Sequence, residues 1–122
     1  MKTLRENITE ERTVNSIEEK YIQCLEIEQN IYLSKPFISV IVPALQEEKI
    51  IADSLRCYTN ALKKKYNFEV IVSDGGSTDK TVDIAKKYAD KIVIHTDKKR
   101  QTIAGGRNNG ARVASGDILV FI

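Results

Sequence analysis

Long apolar runs are missing from this 122-residue chain. The longest, such as Ile118 to Ile122, fall far short of the about 20 residues a membrane-crossing helix needs. No secretory signal is visible either, because Met1-Lys2-Thr3-Leu4-Arg5-Glu6 lacks an apolar stretch. Cysteine is scarce: Cys24 and Cys57 stand alone and form no Cys-x-x-Cys pair. A zinc site or disulfide framework is therefore disfavoured, and a reduced, cytoplasmic setting is favoured. Their apolar surroundings at helical spacing suggest core thiols rather than reactive ones. His95 is the sole histidine, has no acid or nucleophile pattern beside it, and reads as structural. Repeats and low-complexity tracts are absent as well.

Charge of one sign is also lacking, since the formal net charge is +2. Residues 1–35 carry five Lys/Arg against seven Glu, and residues 36–122 carry fourteen Lys/Arg against ten Asp/Glu. The main body is mildly basic, which suits a groove for an anionic small molecule. A nucleic-acid partner is not expected, because such binders show a stronger and more clustered bias. At 42% hydrophobic and 30% charged, the composition is that of one globular domain with a real core.

The first dozen residues are polar. Apolar residues then recur at helical spacing from Val14 to Leu33, predicting one amphipathic helix that Ser34-Lys35-Pro36 ends. Its polar face is rich in Glu, unlike membrane-surface helices, so packing against the domain or a partner is expected. Residues 1–35 form an N-terminal extension, and residues 36–122 form the body.

Within the body, Phe37 to Val42 is a β-branched apolar run, predicting a strand buried on both faces that Pro43 stops. Glu47 to Lys65 predicts a single helix, with Lys63, Lys64 and Lys65 at its C-terminal end. Phe68 to Val72 is a second strand, followed by the loop Ser73-Asp74-Gly75-Gly76-Ser77-Thr78-Asp79. Ser77 or Thr78 can cap the next helix, Asp79 to Tyr88. Lys91 to His95 is a third strand, Ile103 to Ala114 a helix interrupted by glycines, and Asp117 to Ile122 a fourth strand. Strands alternating with helices predict an α/β fold: a four-stranded, mainly parallel, Rossmann-like sheet with helices on both faces. Ligands of such sheets bind beyond the carboxyl ends of the strands. That rule selects residues 43–48, 73–79 and 96–107. The chain also stops inside or at the end of a core strand, so the sequence reads as cut short.

Several residues in those segments have both a chemical and a plain structural reading. Asp74 can accept hydrogen bonds from a ligand or shape a tight Asp-Gly turn. Glu47, Glu48 and Asp79 suit the first turn of a helix. Arg107, in Gly105-Gly106-Arg107-Asn108-Asn109-Gly110, suits a phosphate. That segment is neither a dinucleotide fingerprint nor a P-loop. Lys98, Lys99 and Arg100 can neutralise a diphosphate, although a solvated turn explains them more simply.

Taken together, three stretches resemble family 2 glycosyltransferases with the GT-A fold. Ile38-Ser39-Val40-Ile41-Val42-Pro43-Ala44-Leu45-Gln46-Glu47-Glu48 resembles their opening strand. Glu69 to Thr81 resembles the second strand and acidic loop, and Gly106 to Phe121 the helix and strand that lead to the metal site. The resemblance implies a nucleotide-diphosphate sugar, with UDP-sugar favoured, and sugar transfer to an acceptor that is glycan or lipid-linked. It places Pro43, Leu45 and Glu47 in a nucleoside pocket. It makes Asp74 an acceptor for the base, often uracil N3–H, and puts Arg107 near the base or diphosphate.

Departures from the family pattern concern both ends of this site. Leu45 and Gln46 stand where an aromatic residue and Asn are common. The loop reads Asp-Gly-Gly-Ser rather than Asp-Asp-Gly-Ser, with Ser73 taken as replacing an acid. The divalent metal (Mg or Mn) of the complete enzyme is held by an Asp-x-Asp motif expected just past Ile122, so no metal ligand and no catalytic base is expected in this chain. The 122 residues by themselves are expected to be inactive: a nucleotide-binding fragment or an inert product is the alternative to an enzyme half. Association through the N-terminal helix or an exposed sheet edge is expected, and membrane association would come from helices of a longer protein.

Overall fold

A computed structural model describes residues 35–122. The helix expected over 14–33, with Cys24, lies outside the described residues. The elements run β1 (Ile38–Ala44), α1 (Ile51–Leu55), α2 (Asn60–Tyr66), β2 (Phe68–Asp74), α3 (Thr81–Ala85), β3 (Lys91–Ile94), α4 (Ile103–Val113) and β4 (Ile118–Phe121). The four strands form one sheet in the order β3-β2-β1-β4, and every pairing is parallel. Chain order therefore reverses between β1 and β4, the doubly wound arrangement.

The central strands carry apolar side chains on both faces because both faces are covered. Val40, Val42 and Ala44 of β1 and Val70 and Val72 of β2 pack with Ile51, Leu55 and Ala85 from α1 and α3. The alternate residues, Ile41 and Ile71, point to the other face and are fully buried. There α4 crosses β1, β2 and β3. It comes close because Gly110 is bare: a methyl at that position would overlap the Ile41 side chain. Burial of Ile51 and Leu55, both with no exposed surface, contributes about 1.5–3 kcal/mol each. That anchors a helix of only 5 residues.

β3, α4 and β4 match expectation to within one residue at each end, and the larger differences each have a local reason. Pro43 does not stop β1, which continues to Ala44. Its neighbour Ile41 bonds toward β4 through its carbonyl, which accepts from Ile122 N at 3.1 Å. Pro43, two residues on, faces the same way, so its missing N–H points away from β2 and the β1–β2 ladder runs on past it to Ala44 and Asp74. β2 likewise continues through Ser73 and Asp74. The single helix expected over 47–65 is two. Thr59 turns extended (φ −72°, ψ 157°) and its hydroxyl accepts from Leu62 N, which caps α2 and ends the first segment. The break lets Tyr58 meet Phe68 edge to face, with ring centres 6.0 Å apart. α3 is shorter than expected, and neither Ser77 nor Thr78 caps it; Asp79 accepts from Thr81 N instead. Cys57, expected in the core, is exposed in the turn after α1.

At the amino end of the sheet, Glu69 is 7% exposed. Its carboxylate accepts from Ser39 Oγ at 2.7 Å and Ser115 N at 2.8 Å, and lies 3.0 Å from Lys91 Nζ. Burial alone would raise its pKa, but the hydrogen bonds from Ser115, Ser39 and Lys91 outweigh it and hold the carboxyl below its ordinary value. A lowered folded-state pKa means that the stability from this carboxylate is complete above the ordinary glutamate range. It is lost as pH falls through that range toward the lowered value. The expected result is an acid-side drop in urea midpoint, from about pH 4.5 downward, that Glu69→Gln removes. An unchanged pH profile in that variant would show that Glu69 does not carry it.

Candidate functional site

The carboxyl ends of β1 and β2 lie side by side, with Ala44 opposite Asp74. Two loops leave from there, and one side chain laces them together. Gln46 sits in the left-handed region at φ 53°. Its Nε2 donates to Thr78 Oγ1 at 2.9 Å, its Oε1 accepts from Thr78 N at 2.7 Å, and its own N–H donates to Ser77 Oγ at 2.9 Å. Glu47 N donates to Thr81 Oγ1 at 2.8 Å, and Glu48 Oε2 accepts from Lys80 N at 3.1 Å. The Thr81 hydroxyl foremost, then its backbone N–H and that of Glu48, hold Asp79 below the ordinary carboxylate range against a smaller desolvation effect. Glu47, Glu48 and Asp79 all precede their helices rather than opening them.

Asp74 has no exposed surface. Its Oδ2 accepts from Gly76 N at 2.9 Å and Ser77 N at 2.8 Å, and its Oδ1 accepts from Ser77 Oγ at 2.6 Å. The carboxylate is thus engaged on both oxygens within its own loop. Gly76 allows this by turning to φ 101°, a conformation costly for any side chain. Ser73 faces α4, where its hydroxyl donates to Gly106 O at 2.7 Å. Ser73 therefore does not stand in for the missing acid. Counted in register with Ser77-Thr78-Asp79, the departure from Asp-Asp-Gly-Ser falls on Gly75.

Beside these loops opens a cavity of about 270 Å³. Pro43, Leu45 and Glu47 line it, together with Gly75 and the stretch Arg100 to Ile103. Three of the five residues expected at a ligand site thus meet on one wall; Asp74 lies buried beneath the loop. Arg107 is exposed on α4 and lines neither this cavity nor the adjoining one of about 550 Å³. The adjoining cavity is bordered by Lys99, Arg100 and His95, and His95 Nε2 lies 2.7 Å from Lys99 O. Gln101 borders both cavities and was not singled out by the sequence. A lone Gln in a polar turn carries no motif. Among the described residues, no three His, Cys, Asp or Glu side chains gather as a metal site requires, and no helix is long and apolar enough to cross a membrane. These residues do not fit a divalent metal, so no chemistry is derived through one.

A parallel, doubly wound sheet with a cleft at the carboxyl ends of its first two strands is shared by many ligand-binding α/β folds, and comparison with known proteins narrows it. The family model for glycosyl transferase family 2 matches residues 39–122, and this chain belongs to that family. It is 38% identical over 90 residues to a dolichyl N-acetyl-α-D-glucosaminyl phosphate 3-β-D-2,3-diacetamido-2,3-dideoxy-β-D-glucuronosyltransferase of Methanococcus voltae, covering 70% of this chain and 28% of that one. Glucosyl-3-phosphoglycerate synthase from Mycobacterium tuberculosis, solved with Mn²⁺, UDP and glucosyl-3-phosphoglycerate, is 28% identical. Its TM-score is 0.56, over 93% of this chain and 39% of that one. A mannosyltransferase from Pyrobaculum calidifontis, solved with GDP-Man and Mn²⁺, is 26% identical with a TM-score of 0.53, over 69% and 26%. The chain therefore spans well under half the length of each.

Proposed function

We propose that this chain supplies the donor-binding part of a glycosyltransferase that takes its sugar from a nucleoside diphosphate sugar, UDP-linked by preference. The observation that carries this reading is the cavity at the carboxyl ends of β1 and β2, lined by Pro43, Leu45 and Glu47. It supports a nucleoside: apolar side chains offer a surface for a flat ring. Leu45, 43% exposed, offers contact area without aromatic stacking. Arg100 borders both cavities and suits the diphosphate. Arg107 enters the proposal through the family resemblance, from its exposed place on α4. Asp74 enters as the residue that fixes the loop.

In the reaction proposed, an acceptor hydroxyl attacks the anomeric carbon in line as the bond to the diphosphate breaks, and a base takes the hydroxyl proton. What this chain's residues do is bind and orient the donor. The 122-residue chain is expected to bind UDP in calorimetric titration, with heats that saturate at or below millimolar nucleotide, and to transfer no sugar by itself. Absence of heat at millimolar UDP and GDP alike would count against the donor-binding reading; sugar transfer by the purified chain would count against its dependence on further residues.

A further inference from the structure

Gln46 holds a backbone conformation that strains a side chain. Its φ of 53° lies in the left-handed region, where a Cβ crowds the backbone. From there it makes four hydrogen bonds to three successive residues of the other loop. Its N–H donates to Ser77 Oγ at 2.9 Å and its Nε2 to Thr78 Oγ1 at 2.9 Å. Its Oε1 accepts from Thr78 N at 2.7 Å and from Asp79 N at 3.3 Å. The first of these bonds is relayed inward, because Ser77 Oγ donates in turn to the buried Asp74. Yet Gln46 and Thr78 are both exposed. Hydrogen bonds within reach of water replace bonds to water and add little to stability, and the strained backbone offsets part of that gain. Stability does not account for the arrangement. What it fixes is shape. Leu45 and Glu47, on either side of Gln46, both line the cavity, and Gly75 lines it from the other loop, whereas Gln46, Ser77 and Thr78 do not. Strained residues over-determined by their contacts are typical of ligand clamps.

We infer that Gln46 is a positioning residue: it locks the two loops in the ligand-ready arrangement before a nucleotide arrives, and so sets affinity without touching the ligand. This rests on the donor-binding reading above and adds how that site is kept ready. The lock reaches Leu45 and Glu47 through the backbone they share with Gln46, and reaches Gly75 through Ser77 and Asp74. A cleft whose walls can part is ready in only a fraction of the molecules, and apparent affinity falls by that fraction. The bonds from Glu47 N to Thr81 and from Lys80 N to Glu48 remain without Gln46, so the loops loosen rather than separate.

Gln46→Gly removes the amide and suits the left-handed backbone, so it takes away the brace and the strain together. Its urea midpoint should stay close to that of the unaltered chain. UDP binding, read by calorimetric titration, should weaken about tenfold, as expected if the loops are correctly set in about one molecule in ten. Hydrogen exchange should show the Thr78 and Asp79 amides losing protection in the free variant and regaining it with saturating UDP. Thr59→Ala is the control: it removes the cap of α2 and should lower the urea midpoint while leaving UDP affinity unchanged. Thr78→Val removes one of the four bonds from the opposite loop and should weaken UDP about threefold; it serves as the test if the glycine variant does not fold. Undiminished UDP affinity in Gln46→Gly would overturn the inference, as would amides that stay protected in it. So would a loss of affinity in Thr59→Ala equal to that in Gln46→Gly, which would make the effect one of stability. Failure of the unaltered chain to bind UDP would instead remove the donor-binding reading itself, and the inference with it.

Discussion

Asp74→Ala is expected to lower the stability of the protein by about 3 kcal/mol, read as a shift in urea midpoint. Three donors converge on this one carboxylate: Gly76 N, Ser77 N and Ser77 Oγ, at 2.6 to 2.9 Å. A hydrogen bond to a charged group contributes about 1.5–3 kcal/mol, and donors left unmet add a penalty. The sum is tempered because Gly76 is exposed and Ser77 half-buried, so water can reach part of what the substitution frees. Asp74→Asn separates the loop-building role from direct ligand recognition. Asparagine keeps one oxygen for the two backbone N–H groups, and the Ser77 hydroxyl can turn to accept from the new amide. The loss should then be only about 1 kcal/mol, and UDP affinity should stay within about twofold. If the Asp74→Asn variant instead kept full stability but lost UDP binding, Asp74 would be touching the ligand itself, and the carboxylate would have to open toward it.

Much of the fold was legible because its signals are strong at short range. Two runs built on three consecutive β-branched residues, Val40 to Val42 and Val70 to Val72, each followed by helical spacing, identify parallel strands with covered faces, and Val40, Val42, Val70 and Val72 are the centre of the observed core. Boundaries were less legible because they depend on partners distant in sequence. Pro43 taken by its own chemistry suggests a stop; it is tolerated here because its missing N–H points away from β2, whose pairing with β1 continues to Ala44 and Asp74. The helix break at Thr59 is a capping event that a continuous apolar stripe conceals.

For the site, position was legible and contact was not. The rule that ligands sit beyond strand carboxyl ends selected residues 43–48, 73–79 and 96–107, and Pro43, Leu45, Glu47, Gly75 and the stretch Arg100 to Ile103 line one cavity. Which acid is free and which is bonded cannot be seen from one-dimensional spacing. Asp74 is consumed by residues two and three places further on, whereas Gln46 and Thr81 hold the two loops together through partners more than 30 residues away in sequence. Gln101 falls inside the selected stretch 96–107, but its surroundings were not legible, because they are made by Gly75 and Gly106.

Gly116→Ala is expected to be among the most destabilising single-methyl additions in the chain, at about 3 kcal/mol or more. A methyl there would lie 2.6 Å from both Ser39 N and Ser39 Oγ and 2.9 Å from the carbonyl carbon of Ile38. Two of those three atoms are backbone of β1, paired on both sides, and cannot move without breaking the sheet. The displaced loop would also forfeit the bond from Gly116 N to Ser39 Oγ at 2.8 Å and that from Ser115 N to Glu69 at 2.8 Å. These bonds fasten the entry to β4. Gly106→Ala is the matched control. Its methyl would meet only the Gln101 side chain, at 3.0 Å from Oε1, and a flexible tip can swing aside at a cost of about 1 kcal/mol or less. Denaturation midpoints for the two variants should therefore separate widely. Adding Ser39→Gly to Gly116→Ala should restore little, because the backbone nitrogen remains in the way. Full recovery in that double variant would place the clash on the hydroxyl alone and return the expected cost to that of a rotamer change.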